Sequence, residues 1–377
     1  MKYYIIAGEA SGDLHGSNLM KGILKADPKA EFRFWGGDRM AEVGGVENLV
    51  KHYKQTSFFG VTEVLKNLRT IFGQLKECKE DLVAYGPDVL ICVDYPGFNF
   101  KVARFAHGKG IRTFYYISPK VWAWKERRVE RIRKYVDKLF IIFPFEIDYF
   151  KQKGIEALYE GNPIMDSIAQ TLAQVPSREE FCKQNGLSNE PIVALLAGSR
   201  VSEVKRNLAF MTALAERFPE HQFVVAGVSW LDRGLYDKFL AGSRVKFVTD
   251  QTYGLLRYAE GAVVCSGTAT LETALIGTPE VVCYRMDEFS YRVARAFVKI
   301  GFISLVNIIM KREVVRELIQ HDMTVENAAA ELKAIMKGGE KHDRMMTDYA
   351  ELQAVVGGEG ASDRFAARMV AILKGEE

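Results

Sequence analysis

Short runs of β-branched and aromatic residues alternate with longer stretches whose apolar positions recur every three to four residues. In the first half KYYIIA (2–7), EFRFWG (31–36), DVLICVD (88–94), IRTFYYIS (111–118) and KLFIIF (138–143) read as strands, each closing near Gly, Pro or Ser. The polar segment AQVPSREEFCKQNGLSNE (173–190) interrupts this rhythm, and a second strand series follows: PIVALLAG (191–198), HQFVVAG (221–227), VKFVT (245–249), GAVVCSG (261–267) and PEVVCYR (279–285). From Phe289 onward strand signals stop, and FSYRVARAFVKIG (289–301), REVVRELIQ (312–320), VENAAAELKAIMKGG (325–339) and ASDRFAARMVAILKG (361–375) read as helices. Strands alternating with helices predict an α/β fold of parallel sheets built from βαβ units. The expected layout is two Rossmann-like, doubly wound domains, residues 1–175 and 190–340, with C-terminal helices over 341–377. In such pairs ligands bind outside the carboxyl ends of the strands, so residues directly after strands carry most weight.

Length supports this division, because 377 residues exceed what one hydrophobic core usually serves. With 48% apolar and 26% charged residues the chain has the composition of a folded protein. A formal net charge of +3 argues against a nucleic-acid-coating function. Five cysteines (Cys78, Cys92, Cys182, Cys265, Cys283) form no CxxC pair and are expected as buried thiols in a reducing compartment. The N-terminal apolar stretch is broken at once by Gly8 and Glu9, so it reads as a first strand and not a secretion signal. No run of about 18 apolar residues predicts a transmembrane helix.

Four segments of the first half have chemical character. GEASGD (8–13) follows the first strand and opens a helix, where glycines permit a tight turn and the helix end favours anionic or hydroxyl-rich ligands; an ordinary turn with Asp13 as a cap is the alternative. Its glycines at 8, 12 and 16 do not match the GxGxxG spacing of a dinucleotide site. Asp94 ends DVLICVD before a Pro96–Gly97 turn, which suits either a general base with a raised pKa or a helix cap. SPKVWAW (118–124) offers aromatic faces for a sugar ring or for the core, and the eight basic residues between Lys120 and Lys138 form either a solvated helix face or a phosphate or anionic-lipid patch. Over residues 57–77 the apolar positions, among them Phe58, Phe59, Leu65, Leu68 and Phe72, make one broad helix face with basic flanks, expected to pack on its own domain or to lie in a membrane interface.

In the second half AGSR (197–200) exposes backbone N–H groups beside Arg200, whose planar fork suits phosphate. GAVVCSGTATLE (261–272) ends a buried strand and starts a helix immediately, so several donors and a positive helix end converge where a diphosphate would sit. Glu272 lies one to two turns in, where a carboxylate can accept ribose hydroxyls. Neither Asp-x-Asp, HExxH nor a P-loop pattern occurs, which argues against metal-dependent transfer and ATP hydrolysis.

GEASGD (8–13), VDYPGFN (93–99), ISPKVWAWKERR (117–128), EGNPIMD (160–166), GSR with the following EV (198–204), SGTATLE (266–272) and YRM (284–286) together resemble the lipid-A-disaccharide synthase family, in order and spacing, across nearly the whole chain. The resemblance implies a GT-B glycosyltransferase that moves a 2,3-diacylglucosamine unit from UDP to 2,3-diacylglucosamine 1-phosphate, forming a β-1,6 disaccharide without metal or other cofactor. By that resemblance Asp94 is the catalytic base, and Gly198, Ser199, Arg200, Ser266, Gly267, Thr268, Ala269, Thr270, Glu272 and Asn307 bind the nucleotide. Gly8, Glu9, Ser11, Gly12, Asp13, Asn99 and Trp122 are expected along the acceptor side of the cleft, and Phe58, Phe59, Leu65, Leu68 and Phe72 at a membrane surface. The expected location is cytoplasmic, peripheral to the inner face of the bacterial inner membrane. Two features depart from the pattern: Ala197 stands where the family often has Pro, and Glu280 stands where a strand should begin with an apolar residue. A UDP-N-acetylglucosamine 2-epimerase of the same fold and a non-catalytic sugar-nucleotide sensor are the competing readings.

Overall fold

The computed structural model describes residues 1–55, 68–122, 126–286 and 301–376, with the backbone alone for Leu68. It divides into two compact units, Met1–Ser167 with Val356–Glu377, and Ile168–Val355.

The first unit is built on seven parallel strands: β1 (Lys2–Ala7), β2 (Glu31–Gly36), β3 (Leu49–His52), β4 (Val89–Val93), β5 (Arg112–Tyr116), β6 (Lys138–Ile141) and β7 (Ala157–Tyr159), in the order β3-β2-β1-β4-β5-β6-β7. Central strands such as β4, VLICV, are buried at every position because helices cover both faces, which is why they read as continuous apolar runs. One face packs Tyr3, Ile5, Ile91 and Tyr116 against Leu19, Met20 and Ile23 of the Ala10–Ala26 helix and against Phe365 and Met369. The other packs Tyr4, Ile6, Cys92 and Tyr115 against Leu82, Val102 and Ile132.

Phe365 and Met369 belong to the C-terminal helix Ala361–Lys374, which lies in this first core. A Cβ on Gly22 would stand 2.8 Å from the Ala366 Cβ, so the two helices approach closely at that point. Asp166, in the EGNPIMD segment, seats the same helix by accepting from the backbone N–H groups of Gly360 (2.5 Å) and Ser362 (2.8 Å).

The second unit has six parallel strands: β8 (Ile192–Leu196), β9 (Gln222–Gly227), β10 (Lys246–Thr249), β11 (Ala259–Cys265), β12 (Glu280–Tyr284) and β13 (Glu317–Ile319), ordered β10-β9-β8-β11-β12-β13. Both sheets are thus the doubly wound parallel type that the strand pattern predicted. All five cysteines are buried and unpaired with one another.

The segment 312–320 corrects the helical reading. Its apolar spacing suits a helix, yet Leu318 and Ile319 pair with Cys283 and Tyr284 of β12 as a three-residue edge strand. A strand that short carries no resolvable period, so tertiary pairing decides it. The edge strands β3 and β7 escape a sequence reading for the same reason. The helix expected over 289–301 lies outside the described residues except at Gly301, and the face expected over 57–77 is described only from Leu68, where a helix runs to Tyr85. Among the described residues no helix is long and apolar enough to cross a membrane.

Candidate active site

In each sheet the strand order reverses at one place, between β1 and β4 in the first unit and between β8 and β11 in the second. The crevice outside such a switch point is the usual ligand site of this architecture. GEASGD follows β1, Asp94 follows β4, AGSR follows β8 and SGTATLE follows β11, so all four motifs stand at switch points.

In the first unit Ala7 lies opposite Val93, placing Gly8 beside Asp94 in the register. A Cβ on Gly8 would meet the Tyr95 ring at 2.2 Å; glycine is required for the ring to lie there. Asp94 and Tyr95 hold φ of +41° and +46°, the left-handed region that non-glycine residues seldom occupy and that concentrates at functional sites. The surroundings enforce this turn. Asn99 Nδ2 donates to the Asp94 carbonyl (2.8 Å), Tyr115 Oη donates to the same oxygen (2.6 Å), the Asp94 N–H donates to the Tyr116 carbonyl (3.0 Å), and Pro96 opens the Pro96–Gly108 helix.

The Asp94 side chain reaches solvent. Desolvation by the protein mass around the strand end pushes its pKa up to about 6, the Glu9 carboxylate adds to the shift, and Lys120 and Arg128 oppose it. A carboxylate with that pKa is largely ionised at pH 7 yet basic enough to take a proton in a transition state.

The other first-unit candidates divide by role. Glu9 and Ser11 are exposed at the start of the Ala10–Ala26 helix, whereas Gly12 and Asp13 are buried. Asp13 does not cap its own helix. Its carboxylate accepts from the N–H groups of Gly37 (2.7 Å), Arg39 (3.1 Å) and Met40 (3.1 Å), capping the neighbouring Asp38–Gly44 helix. Asn99 is fully buried as a brace for the Asp94 turn. Trp122 is half-buried, donates through Nε1 to Glu146 (3.1 Å) and meets Phe145 edge-on at 4.9 Å. Glu146 carries no signal in the sequence that singles it out. It is buried, also accepts from the Phe143 N–H (3.1 Å), and its pKa is pushed up to about 8 by desolvation, against the pull of its hydrogen bonds and Lys120.

Of the membrane candidates, Phe58, Phe59 and Leu65 lie outside the described residues, as does the Leu68 side chain. Phe72 is 59% exposed, with the Lys101 ammonium 5.5 Å from its ring centre, while Leu75 is buried. In the basic run Arg131 and Lys134 are exposed on the short Val129–Tyr135 helix, and Arg133 pairs with Glu130.

In the second unit Gly198 holds φ +109°, and Ser199 and Arg200 follow it into the Val201–Ala215 helix. Glu203 occupies the backbone donors of this turn: its Oε2 accepts from the N–H groups of Ser199 (3.0 Å) and Arg200 (3.3 Å). The Arg200 side chain is 77% exposed, with one guanidinium nitrogen 3.5 Å from Glu203 Oε1. Ala197, at the departure from the family pattern, is buried, and its carbonyl accepts from Asn207 Nδ2 (3.0 Å). Trp230, also without a distinguishing sequence signal, is 64% exposed after β9 and donates through Nε1 to the Ser199 carbonyl (3.2 Å).

After β11, Ser266 and Ala269 are half-buried, Gly267 and Thr268 exposed, and Thr270 buried. Among the described residues no side chain caps the Thr268–Ile276 helix at Gly267, and its positive end lies directly beside the AGSR turn, since β8 and β11 are neighbours. Glu272 accepts from Tyr253 Oη (2.6 Å), and desolvation raises its pKa while that hydrogen bond lowers it. Asn307 stands on the short Leu305–Met310 helix. It is fully buried, and both ends of its amide are engaged with Val314, Val315 and Glu317.

Residues 3–366 match the family model described as lipid-A-disaccharide synthetase. The lipid-A-disaccharide synthase of Syntrophus aciditrophicus is 36% identical over 378 residues, covering 98% of this chain and 97% of that protein. That of Myxococcus xanthus is 36% identical over 376 residues, with 98% and 97% covered. Among solved structures, UDP-GlcNAc 2-epimerase from Neisseria meningitidis bound to UDP-GlcNAc superposes with a TM-score of 0.69 at 12% identity over 98% of this chain and all of the other. The epimerase from Methanocaldococcus jannaschii in complex with UDP-GlcNAc and UDP gives 0.66 at 14% over the whole of both chains. At such identities the likeness extends to the GT-B architecture alone, and the sequence relatives discriminate between activities. Motif order, both switch-point sites and the full-length match agree: this chain belongs to the lipid-A-disaccharide synthase family of glycosyltransferases.

Proposed function

We propose that the chain transfers 2,3-diacylglucosamine from its UDP conjugate to the 6-hydroxyl of 2,3-diacylglucosamine 1-phosphate, forming the β-1,6-linked disaccharide and UDP. The observation that carries the mechanism is Asp94, a carboxylate on a strained, fully braced turn at the first switch point, with a pKa of about 6. Asp94 takes the hydroxyl proton as the acceptor oxygen attacks the anomeric carbon from the face opposite UDP. The bond between that carbon and the diphosphate oxygen breaks, its electron pair leaves with UDP, and the anomeric centre inverts.

Negative charge grows on the diphosphate during this step. The Thr268–Ile276 helix end and the Arg200 guanidinium supply positive potential for it, and fixed charges and dipoles of this kind dominate the catalysis of many transfer reactions. Glu203 then has to yield the Ser199 and Arg200 N–H groups if a phosphate oxygen is to use them. In this reading Glu272 accepts ribose hydroxyls, and its hydrogen bond from Tyr253 Oη supports it by orienting the carboxylate.

Both proposed substrates carry acyl chains, so the enzyme is proposed to work at the inner face of the inner membrane as a peripheral protein. The exposed Phe72 and the cations of the Lys120–Lys138 run support this part of the reading. The deciding assay mixes the UDP-sugar with the lipid acceptor and follows UDP release. Release that depends on acceptor is expected; interconversion of the UDP-sugar without acceptor would favour an epimerase, and binding without turnover a sensor.

A further inference from the structure

We infer that Glu317 is a positioning residue for the nucleotide loop, acting on Ser266 through the 303–307 segment. The inference rests on the reading of Ser266–Glu272 as a nucleotide site.

Glu317 stands on the edge strand β13, away from the loop in sequence, and its carboxylate gathers three donors from one segment. Oε1 accepts from the N–H groups of Ile303 (3.1 Å) and Ser304 (2.9 Å) and from Asn307 Nδ2 (2.9 Å), and Oε2 accepts from the Ile303 N–H (3.0 Å). The carbonyl of the same Ile303 accepts from Ser266 Oγ (3.1 Å), the residue that opens SGTATLE. One peptide chain therefore hangs from Glu317 on its N–H side and holds the nucleotide loop on its carbonyl side.

Asn307 completes the brace. Its Nδ2 donates to the Val315 carbonyl (2.8 Å) as well as to Glu317, and its Oδ1 accepts from the N–H groups of Val314 (2.7 Å) and Val315 (3.0 Å). That is the full hydrogen-bonding capacity of a primary amide. Asn307 thus locks the segment to the strand that carries Glu317, and none of its polar places is left for a ligand. The end of β13 performs a similar service for the loop after β12, where the Met286 N–H donates to Gln320 Oε1 (2.7 Å) and Gln320 Nε2 donates to the Met286 carbonyl (3.2 Å).

A carboxylate that accepts several backbone N–H groups holds them more tightly than a neutral amide does, because its hydrogen bonds are charge-assisted. Glu317→Gln also turns an NH2 group toward donors. Loosening Ile303 in this way should displace Ser266 without removing any group that touches UDP.

The test is calorimetric titration of UDP into the full-length protein, with steady-state kinetics beside it. Glu317→Gln should weaken UDP binding about tenfold, the consequence of losing one charge-assisted hydrogen bond. The donor KM should rise in proportion, while kcat at saturating donor and the acceptor KM stay within about twofold of wild type. Glu317→Asp, which keeps the charge but withdraws it by one methylene, should fall between them. Because both residues act through Ile303, Ser266→Ala and Glu317→Gln should be non-additive, the double variant binding no worse than the weaker single.

Thr278→Val is the control for a general loss of stability in the same unit: it removes a buried hydroxyl that donates to the Leu256 carbonyl at 2.7 Å. It should lower Tm and leave UDP binding alone. The inference is overturned if Glu317→Gln binds UDP as wild type does, if the two substitutions multiply independently, or if Thr278→Val weakens UDP equally. A wild-type chain that does not bind UDP sinks the nucleotide reading itself, a result distinct from all three.

Discussion

The indole N–H of Trp122 donates to the carboxyl of Glu146 at 3.1 Å, which fixes an aromatic of the SPKVW loop to a buried acid whose pKa is pushed up to about 8. Burial is the main cause, so the charged form is the disfavoured one. A group whose folded pKa lies above its ordinary 4.5 contributes stability that is full below 4.5 and is lost as pH rises through about 8. Wild-type Tm should therefore fall between pH 6 and about pH 8. Glu146→Gln keeps an acceptor for Trp122 and cannot ionise, so its Tm should stay flat over that range while the wild type falls relative to it. Parallel slopes for the two proteins would remove Glu146 as the titrating group.

Asp94→Asn retains the side-chain shape and removes the base. It should reduce kcat by roughly 10²- to 10⁴-fold with UDP affinity nearly unchanged. In the wild type, kcat/KM should rise with pH through about 6 as the carboxyl ionises, and the variant should lack that limb. Near-normal turnover in Asp94→Asn would transfer the role to Glu9, the exposed carboxylate that acts on the same site electrostatically.

Arg200 is exposed in the AGSR turn with its guanidinium 3.5 Å from Glu203 Oε1, and the proposed function gives it the diphosphate. Arg200→Ala should weaken UDP binding by about 1.5 to 3 kcal/mol if the guanidinium makes a charge-assisted contact. EDTA should leave wild-type activity intact, since the proposed charge stabilisation comes from the helix end and this arginine. Strong inhibition by the chelator, reversed by a divalent cation, would require a metal in the donor site.

Glu280 is fully buried at the first position of β12, and neither carboxyl oxygen has a hydrogen-bond partner among the described residues. Desolvation first, and the nearby Glu317 carboxylate second, raise its pKa well above 4.5. Its stability contribution is full below pH 4.5 and declines as pH rises towards the folded value. Glu280→Met, similar in volume and without the polar atoms, should raise Tm at pH 8 by more than at pH 5. The expected gain at pH 8 is about 1 to 3 kcal/mol, the usual penalty of an unsatisfied buried polar group. Equal or lower Tm at both values would show that the carboxyl has a partner in solution.

Phe72 tests the membrane reading at a described position. Phe72→Ser should lower cosedimentation with anionic vesicles and leave Tm unchanged, because the ring is 59% exposed. Removal of a core side chain would instead cost about 2 to 5 kcal/mol. Binding should also weaken with salt if the Lys120–Lys138 cations contribute, each worth about 1 kcal/mol near anionic lipid. A Phe59→Ser, Leu68→Ser double variant extends the test to the segment that precedes Phe72. Unchanged vesicle binding in both variants would leave membrane contact without a site in this segment.

The sequence by itself determined the two parallel α/β halves and the motifs that close their strands. Those features are written locally: a strand covered on both faces must be apolar throughout, and a ligand turn at its end must be small and polar, so β4 with Asp94 and β11 with SGTATLE are legible in a dozen residues each. Tertiary structure alone decided the rest. It made 317–319 a strand against a helical period, because pairing with β12 outweighs the preference of three residues. It set the C-terminal helix in the first core, where Ala366 meets Gly22. It turned Asp13 into the cap of another helix, and placed Glu146 behind Trp122 and Glu317 behind Ser266. Each of these depends on groups meeting across at least 13 residues of chain, and the partner of a buried carboxylate is chosen by which backbone donors the fold brings to it, a quantity no local pattern encodes.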